Sequence, residues 1–145
     1  MEYQRLKKCL DTIRNKTDFV PETAIILGSG LGDFADGIKA EAIIEYSELP
    51  DFPVSTVEGH NGRFIFGYLN ETPVVAMQGR VHYYEGYPME DVVMPVRLMS
   101  MLGAKTLFLT NAAGGINYDA GTLMLITDHI SSFVPSPLRG KTSMN

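Results

Sequence analysis

Twice in this chain, a short apolar run leads directly into a loop of small residues, and this repetition restricts the fold more than any other feature. Residues 23–27 form the first run and open into Gly-Ser-Gly-Leu-Gly at residues 28–32. Residues 106–110 form the second and open into Asn-Ala-Ala-Gly-Gly-Ile-Asn at residues 111–117. Short apolar runs bounded by glycine are typical of buried strands. In open α/β sheets ligands bind where strand ends face a crevice, so we expect the two loops to share one site.

The first of these loops has glycines at alternate positions, which let backbone N–H groups turn inward and form a concave site for an anion such as phosphate. Ser29 adds a hydroxyl donor. A dinucleotide-binding loop needs a glycine where this chain has Asp33, and the next strand follows too soon for a full crossover helix. No Gly-Lys-Ser/Thr of a Walker loop follows. These departures disfavour a nicotinamide-dependent oxidoreductase, while a tight strand-to-helix turn without a ligand stays an alternative.

The stretch at residues 78–87 has the sequence Gln-Gly-Arg-Val-His-Tyr-Tyr-Glu-Gly-Tyr. It places a cation, an imidazole, two phenols and a carboxylate between two glycines. Arg80 offers a planar fork of donors that suits a phosphate or carboxylate. His82 can donate or accept a proton near neutral pH, and Tyr84 combines an apolar ring with a hydroxyl. This combination predicts an anionic group bound beside a ring-shaped ligand.

The remaining pattern predicts the other elements of a single domain over residues 1–145. Apolar residues at spacings of three and four predict an amphipathic helix at the N-terminus. Further strands are expected at residues 42–46, 63–69, 73–77 and 123–127, with a hairpin between the second and third of these, and a turn at residues 59–62 that presents His60. A buried helix is expected over residues 88–102, either kinked at Pro95 or beginning later. Its methionines are interpreted as core packing.

Composition excludes several classes of protein. With 45% hydrophobic and 20% charged residues the chain has a globular balance, and a net charge of −5 disfavours a general affinity for nucleic acid or acidic membranes. Cys9 is the only cysteine, no apolar run reaches the roughly 20 residues of a membrane span, and the N-terminus lacks a secretory pattern, so a cytoplasmic protein is expected. His60, His82 and His129 lack the spacing of metal ligands, so no metal is expected.

Four ordered motifs resemble those of the trimeric purine nucleoside phosphorylases. They lie at residues 26–32, 59–63, 78–87 and 110–115, and the resemblance extends from about residue 23 to residue 139. It implies an α/β fold with a mixed, strongly curved central sheet flanked by helices, and a homotrimer. The implied reaction is reversible phosphorolysis of purine ribonucleosides and deoxyribonucleosides, with inorganic phosphate as co-substrate and no metal or organic cofactor.

The same resemblance implies roles for individual residues. It implies a catalytic role for His82 and Asn111, and a ribose contact for Tyr84. It also implies a phosphate site made of side chains and one backbone group, which are those of Ser29, His60, Arg80, His82 and Ala112. These roles suit the chemistry, because phosphate has to be desolvated and held against the anomeric carbon of the sugar by preorganised donors.

Members of the family continue beyond the point at which this chain stops, and their later part supplies the groups that hold the purine. Residues 141–145 depart from the family pattern, so the chain is interpreted as an N-terminal half that is C-terminally truncated. Little turnover is expected from these 145 residues alone. Two alternatives stay open. One is a truncated phosphate- or nucleoside-binding module that self-associates, and the other is a methylthioadenosine phosphorylase, which shares the fold and the phosphate chemistry.

Overall fold

The structure is a computed structural model that describes residues 2–54 and 62–139. Within these residues the chain forms two α-helices, five strands and three short 3-10 helices. The α-helices are α1 (Glu2–Arg14) and α2 (Met89–Met101). The strands are β1 (Thr23–Leu27), β2 (Lys39–Glu45), β3 (Arg63–Leu69), β4 (Thr72–Gln78) and β5 (Thr106–Leu109). The 3-10 helices are Gly32–Gly37, Tyr46–Glu48 and Tyr83–Glu85.

The five strands form one mixed sheet in the order β2-β3-β4-β1-β5. β1 lies parallel to both β4 and β5, whereas β3 lies antiparallel to both of its neighbours, β2 and β4. The predicted α/β class with a mixed sheet is therefore confirmed, and so is the hairpin of β3 and β4. Its two-residue turn follows the pair Leu69↔Thr72, and Asn70 adopts a φ of 54°, a left-handed conformation that asparagine tolerates.

Both faces of the central strands are covered, which explains why β1 is a continuous apolar run. On one face, Phe64 and Phe66 of β3 pack with Leu98 of α2 and Ile13 of α1 in the larger hydrophobic cluster. On the opposite face, Ile65 belongs to a smaller cluster with residues of β1 and of the Gly32–Gly37 turn. Successive side chains of β3 thus alternate between the two clusters, as the geometry of a strand requires.

Helix α2 resolves the alternatives raised by its proline. The helix begins at Met89 with Pro88 at its N-cap and runs through Pro95, so a later start is wrong. Met94 and Met99 are fully buried in the core, which confirms their packing role. Both α-helices have 13 residues, and no described helix is long and apolar enough to cross a membrane.

Three strand predictions differ from the structure. β2 begins at Lys39, three residues before the predicted strand. Its first residues pair with β3 but are exposed and show no apolar alternation, so the sequence pattern did not indicate them. β5 was expected to be buried, but it lies at the sheet edge with only β1 beside it, and Phe108 is 62% exposed. The strand predicted at residues 123–127 is wrong. Within residues 2–54 and 62–139 this segment pairs with no strand, and Leu123 is 96% exposed.

Candidate anion-binding site at the strand ends

The candidate site lies where three parallel strands end together. The register pairs Leu27 of β1 with Gln78 of β4, and Ile26 of β1 with Leu109 of β5. The loops that follow these strands therefore leave the sheet at one edge. They are the glycine loop at residues 28–32, the polar stretch that begins at Gly79, and the segment that begins at Thr110. This edge is the place where open α/β sheets bind ligands.

A polar cleft of about 170 Å³ lies between the first two loops. Ser29, Arg80 and His82 line it together with several glycines, and Asp33 is also among the lining residues. The structure thus brings together three of the five residues for which a phosphate role was predicted. His60 lies outside the described residues, and its role stays a prediction.

The cationic and titratable groups of the cleft are joined in a chain. Arg80 Nε donates to Nε2 of His82 at 3.3 Å, and Nδ1 of His82 lies 2.9 Å from Oε1 of Glu85. A guanidinium nitrogen can only donate, so Nε2 of the ring accepts and the ring proton resides on Nδ1, directed at the carboxylate. Glu85 also accepts the backbone N–H of His82 at 2.7 Å and is almost fully buried. Glu85 therefore fixes the orientation of the ring.

Glu85 was not predicted to have a role in the site. The available signal was its position three residues after His82, inside the polar stretch. In the structure this spacing forms a capping box on the Tyr83–Glu85 turn, closed by Gly86 with a φ of 91°. A positive φ favours glycine, so the second glycine of the stretch is required by the turn.

Tyr84 extends the site toward an apolar cavity. Its ring stacks on that of His82 with centroids 4.7 Å apart and planes inclined by 18°. The ring is 78% exposed and lines a cavity of about 340 Å³ formed largely by apolar side chains of β1, β4 and α2. Arg80 and His82 line this cavity as well as the polar cleft. An anionic group and a less polar group could therefore bind on either side of the same two residues.

Asn111 and Ala112 follow the third strand and are exposed. Asn111 Nδ2 donates to the carbonyl of Ala112 at 3.3 Å, and the preceding residue, Thr110, accepts a hydrogen bond from Arg80 Nη1 at 3.3 Å. Both residues thus follow directly in sequence after a residue that Arg80 contacts. Neither of them lines the polar cleft or the apolar cavity in the described part of the chain.

Two buried polar side chains support the loops of the cleft. Gln78 accepts from Arg63 Nε at 2.7 Å and donates to the carbonyl of Gly32 at 2.9 Å, so it ties the end of the glycine loop to β3 and β4. The hydroxyl of Tyr46 donates to the carbonyl of Gly79 at 2.7 Å, and burial raises the pKa of this hydroxyl well above its usual range. Sequence reasoning missed both residues. The only signal in the sequence was that each polar side chain lies at the end of a predicted apolar strand.

Metal ligation was not expected, and residues 2–54 and 62–139 contain no group of three His, Cys, Asp or Glu side chains arranged to hold an ion. His60 does not belong to these ranges, so the absence of a metal stays a prediction for the whole chain.

Comparisons with known proteins agree with the geometry. The phosphorylase superfamily matches residues 22–143. Purine nucleoside phosphorylase 1 of Bacillus subtilis is 49% identical over 138 residues, which cover 94% of this chain and 51% of that protein. A Schistosoma mansoni purine nucleoside phosphorylase solved with inosine superposes with a TM-score of 0.71 at 47% identity, over 79% of this chain and 40% of that one. A purine nucleoside phosphorylase solved with ribose-1-phosphate gives 0.72 at 50% identity, over 79% and 42%.

The chain spans about half the length of the curated relatives it matches. The matched region contains the glycine loop, the polar stretch and the segment after β5, which together form the edge where the candidate site lies. The family match covers most of the chain, and the mixed sheet agrees with the solved relatives. By sequence and by fold, the chain belongs to the phosphorylase superfamily.

Proposed function

We propose that this chain carries the phosphate- and ribose-binding part of a purine nucleoside phosphorylase. The reaction is the reversible phosphorolysis of purine ribonucleosides and deoxyribonucleosides to free base and (deoxy)ribose 1-phosphate. The observation that carries the proposal is the convergence of Ser29, Arg80 and His82 on one polar cleft at the ends of parallel strands. Similar proteins that were solved with inosine and with ribose-1-phosphate support this class of substrate.

Phosphate would bind in the polar cleft. The Arg80 guanidinium supplies the charge, and the Ser29 hydroxyl and the N–H groups of the glycine loop supply neutral donors. His82 lines the same cleft and accepts a hydrogen bond from Arg80 Nε, so its part in the phosphate site includes orienting the guanidinium. The role of His60 and of the Ala112 backbone in completing this set is part of the same proposal. A dianion held by fixed donors close to the sugar needs little rearrangement at the moment of reaction.

The chemistry then requires one bond to form and one to break. An oxygen of phosphate bonds to the anomeric carbon while the glycosidic bond to the purine nitrogen breaks, and the bonding electron pair leaves with the purine, which takes up a proton. By analogy with glycoside hydrolysis, the ribosyl group develops positive charge that the adjacent phosphate stabilises. Tyr84, beside the apolar cavity, would contact the ribose. Asn111 would act on the same reacting group.

The proposal includes the setting of the enzyme. Phosphate itself is the nucleophile, and the proposal assigns no role to a metal or an organic cofactor. The protein would act as a homotrimer in the cytoplasm on small substrates, without nucleic acid or membrane as partner, in keeping with its net charge of −5.

The direct test is the release of hypoxanthine from inosine by the longest natural product of the gene, measured with and without phosphate. We expect release that depends on phosphate. The 145-residue chain is expected to bind phosphate in calorimetry with little or no turnover. Absence of phosphate-dependent release from the longest product, under conditions in which it binds phosphate, would overturn the proposed reaction. Turnover near that of the longest product by a chain verified to end at Asn145 would overturn the expected inactivity.

A second candidate is a binding module that self-associates without catalysis. It is favoured by the exposure of large apolar side chains after α2, among them Phe108 at 62%, Ile116 at 95% and Phe133 at 95%. Light scattering on the 145-residue chain distinguishes it, since it requires a concentration-dependent mass above that of the monomer of 16.0 kDa. A monomer without affinity for phosphate would remove the basis of this candidate.

A further inference from the structure

Thr110 connects the three loops of the candidate site. Its hydroxyl accepts the backbone N–H of Gly28 at 2.8 Å and donates to the carbonyl of Ile26 at 2.9 Å. Its own carbonyl accepts from Arg80 Nη1 at 3.3 Å, and its backbone N–H donates to Ile26 at 3.1 Å. One residue therefore contacts the start of the glycine loop and the Arg80 side chain, and leads directly into Asn111.

The first glycine of the loop makes this arrangement possible. A Cβ on Gly28 would lie 2.7 Å from the carbonyl oxygen of Thr110 and 2.9 Å from the Cα of Asn111, both too close for a real side chain. The glycine loop and the segment after β5 thus touch backbone to backbone. Since both neighbours in this contact are backbone atoms, they cannot turn aside as the end of a flexible side chain would.

We propose that Thr110 is a positioning residue for the anion, and that its hydroxyl sets the distance between the glycine loop and Arg80. This inference rests on the proposed function, because it assumes that phosphate binds in the polar cleft. Ser29 lies one residue beyond Gly28, so a shift of the Gly28 N–H moves the Ser29 donor relative to the guanidinium. Thr110 itself does not line the cleft and acts only through the groups that do.

The chemistry of the hydroxyl makes the role specific. The same oxygen donates one hydrogen bond and accepts another across the gap between β5 and β1. Valine has nearly the shape of threonine but has neither donor nor acceptor, whereas serine keeps both. The substitution Thr110→Val leaves the Gly28 N–H without its partner, while the Ile26 carbonyl keeps the backbone bond from residue 110. The expected fault is therefore confined to the glycine loop.

The experiment compares T110V, T110S and the control T106V in the 145-residue chain. Thr106 is an exposed threonine at the other end of β5, away from the loops. Orthophosphate affinity is measured by calorimetry, hydrogen exchange of the Gly28 amide by NMR, and folding by the thermal midpoint in circular dichroism. We expect T110V to bind phosphate about tenfold more weakly and to exchange the Gly28 amide at least about tenfold faster. T110S and T106V are expected to match the wild type.

The outcomes separate this inference from the proposed function. If T110V binds phosphate with the same affinity as the wild type, the positioning role is overturned while the proposed phosphate site stands. Equal losses in T110V and T110S overturn it too, because serine keeps the hydroxyl, and so does a loss in T110V without faster exchange at Gly28. If T110V fails to fold, the inference is tested with T110S and with the exchange rate of the Gly28 amide in the wild type. Rapid exchange of that amide in the wild type overturns the inference. A folded wild-type chain that binds no phosphate overturns the proposed phosphate site, and the inference with it.

Discussion

At the scale of single residues, Arg80 has contacts on two sides. It is hydrogen-bonded to His82 and to the backbone of Thr110, and it lines both the polar cleft and the apolar cavity. A planar guanidinium makes these directed bonds while still presenting further N–H groups, which an ammonium group on a flexible stem could not do in the same geometry. Lysine is therefore not a conservative replacement at this position.

Arg80→Gln tests the charge of the cleft. We expect the substitution to weaken orthophosphate binding by about tenfold to a hundredfold, the size of a lost charge-assisted hydrogen bond. Lys39→Gln removes the same charge from an exposed position on β2, at the opposite edge of the sheet, and serves as the control. Calorimetry at fixed ionic strength provides the measurement. Equal effects of the two substitutions would show that only net charge matters.

Cys9 gives a prediction that depends on pH. It is fully buried in α1, its thiol donates to the carbonyl of Pro50 at 3.2 Å, and burial raises its pKa to about 11 from a usual value of 9.0. The pKa of the folded state is the higher one. Stability from this group is therefore complete below about pH 9 and is lost as the pH rises toward about 11, because only the unfolded chain then releases the proton.

The same shift is expected to slow thiol alkylation. Because the pKa is raised, the thiolate fraction at pH 8 is about a hundredfold lower in the folded chain than in the unfolded chain. Thiolate is the reactive form, so alkylation is expected to slow by a similar factor. The rate of labelling by iodoacetamide, followed by mass spectrometry with and without urea, measures this difference. Cys9 is the only cysteine, so no other thiol contributes to the signal. Similar rates in both conditions would contradict the burial of Cys9.

At the scale of elements, sequence reasoning succeeded where a periodic pattern meets a buried surface. Strand β3 alternates between two apolar clusters, and α1 buries Leu6, Cys9 and Ile13 on one face, so both elements carry the pattern of their own packing. The edge strands were harder. The first part of β2 is exposed and polar, and its assignment depends on pairing with β3, which no local pattern records.

The hairpin of β3 and β4 provides the prediction at this scale. Asn70 has a φ of 54° at an exposed turn, a conformation that costs a β-branched residue about 1–2 kcal/mol. Asn70→Val is expected to lower the free energy of unfolding by about this amount, while Asn70→Gly stays near the wild type. Urea denaturation followed by circular dichroism measures both. A valine variant as stable as the glycine variant would mean that the turn adopts another conformation.

The candidate site was only partly predictable for a related reason. Ser29, Arg80 and His82 could be found because their residue types suit phosphate and their motifs are recognisable. Gln78, Tyr46 and Thr110 could not, because each acts through a contact across the fold: their hydrogen bonds to Gly32, Gly79 and Ile26 join residues 46, 33 and 84 positions apart. Their roles depend on the register of the strands, and this register is absent from a linear pattern.

At the scale of the whole molecule, burial is uneven along the chain. The two hydrophobic clusters draw their residues from positions 6–104, whereas described residues after β5 form no helix or strand and are largely exposed. The predicted strand at residues 123–127 failed for this reason, because its apolar residues have no described surface to pack on. Apolar composition alone was not enough to predict a packed strand.

This unevenness predicts the course of limited proteolysis. Chymotrypsin is expected to cut first between residues 111 and 139, where Tyr118 is 65% and Phe133 95% exposed. Phe64 and Phe66, both fully buried in β3, serve as internal controls and are expected to be cut only after global unfolding. Mass spectrometry of the early fragments identifies the sites. Early cleavage after Phe64 or Phe66 would contradict the proposed core.

The strand order also determines when each strand can pair while the protein is synthesised on the ribosome. β1 emerges first of all the strands, yet both of its neighbours are made later, β4 from residue 72 and β5 from residue 106. A nascent chain that has exposed only β1 and the hairpin therefore lacks the hydrogen-bond partner of the glycine loop. The N–H of Gly28 donates to the hydroxyl of Thr110, which lies 82 positions downstream. Pairings over such distances form slowly. The loop that would capture phosphate is among the first parts to be made and among the last to be finished.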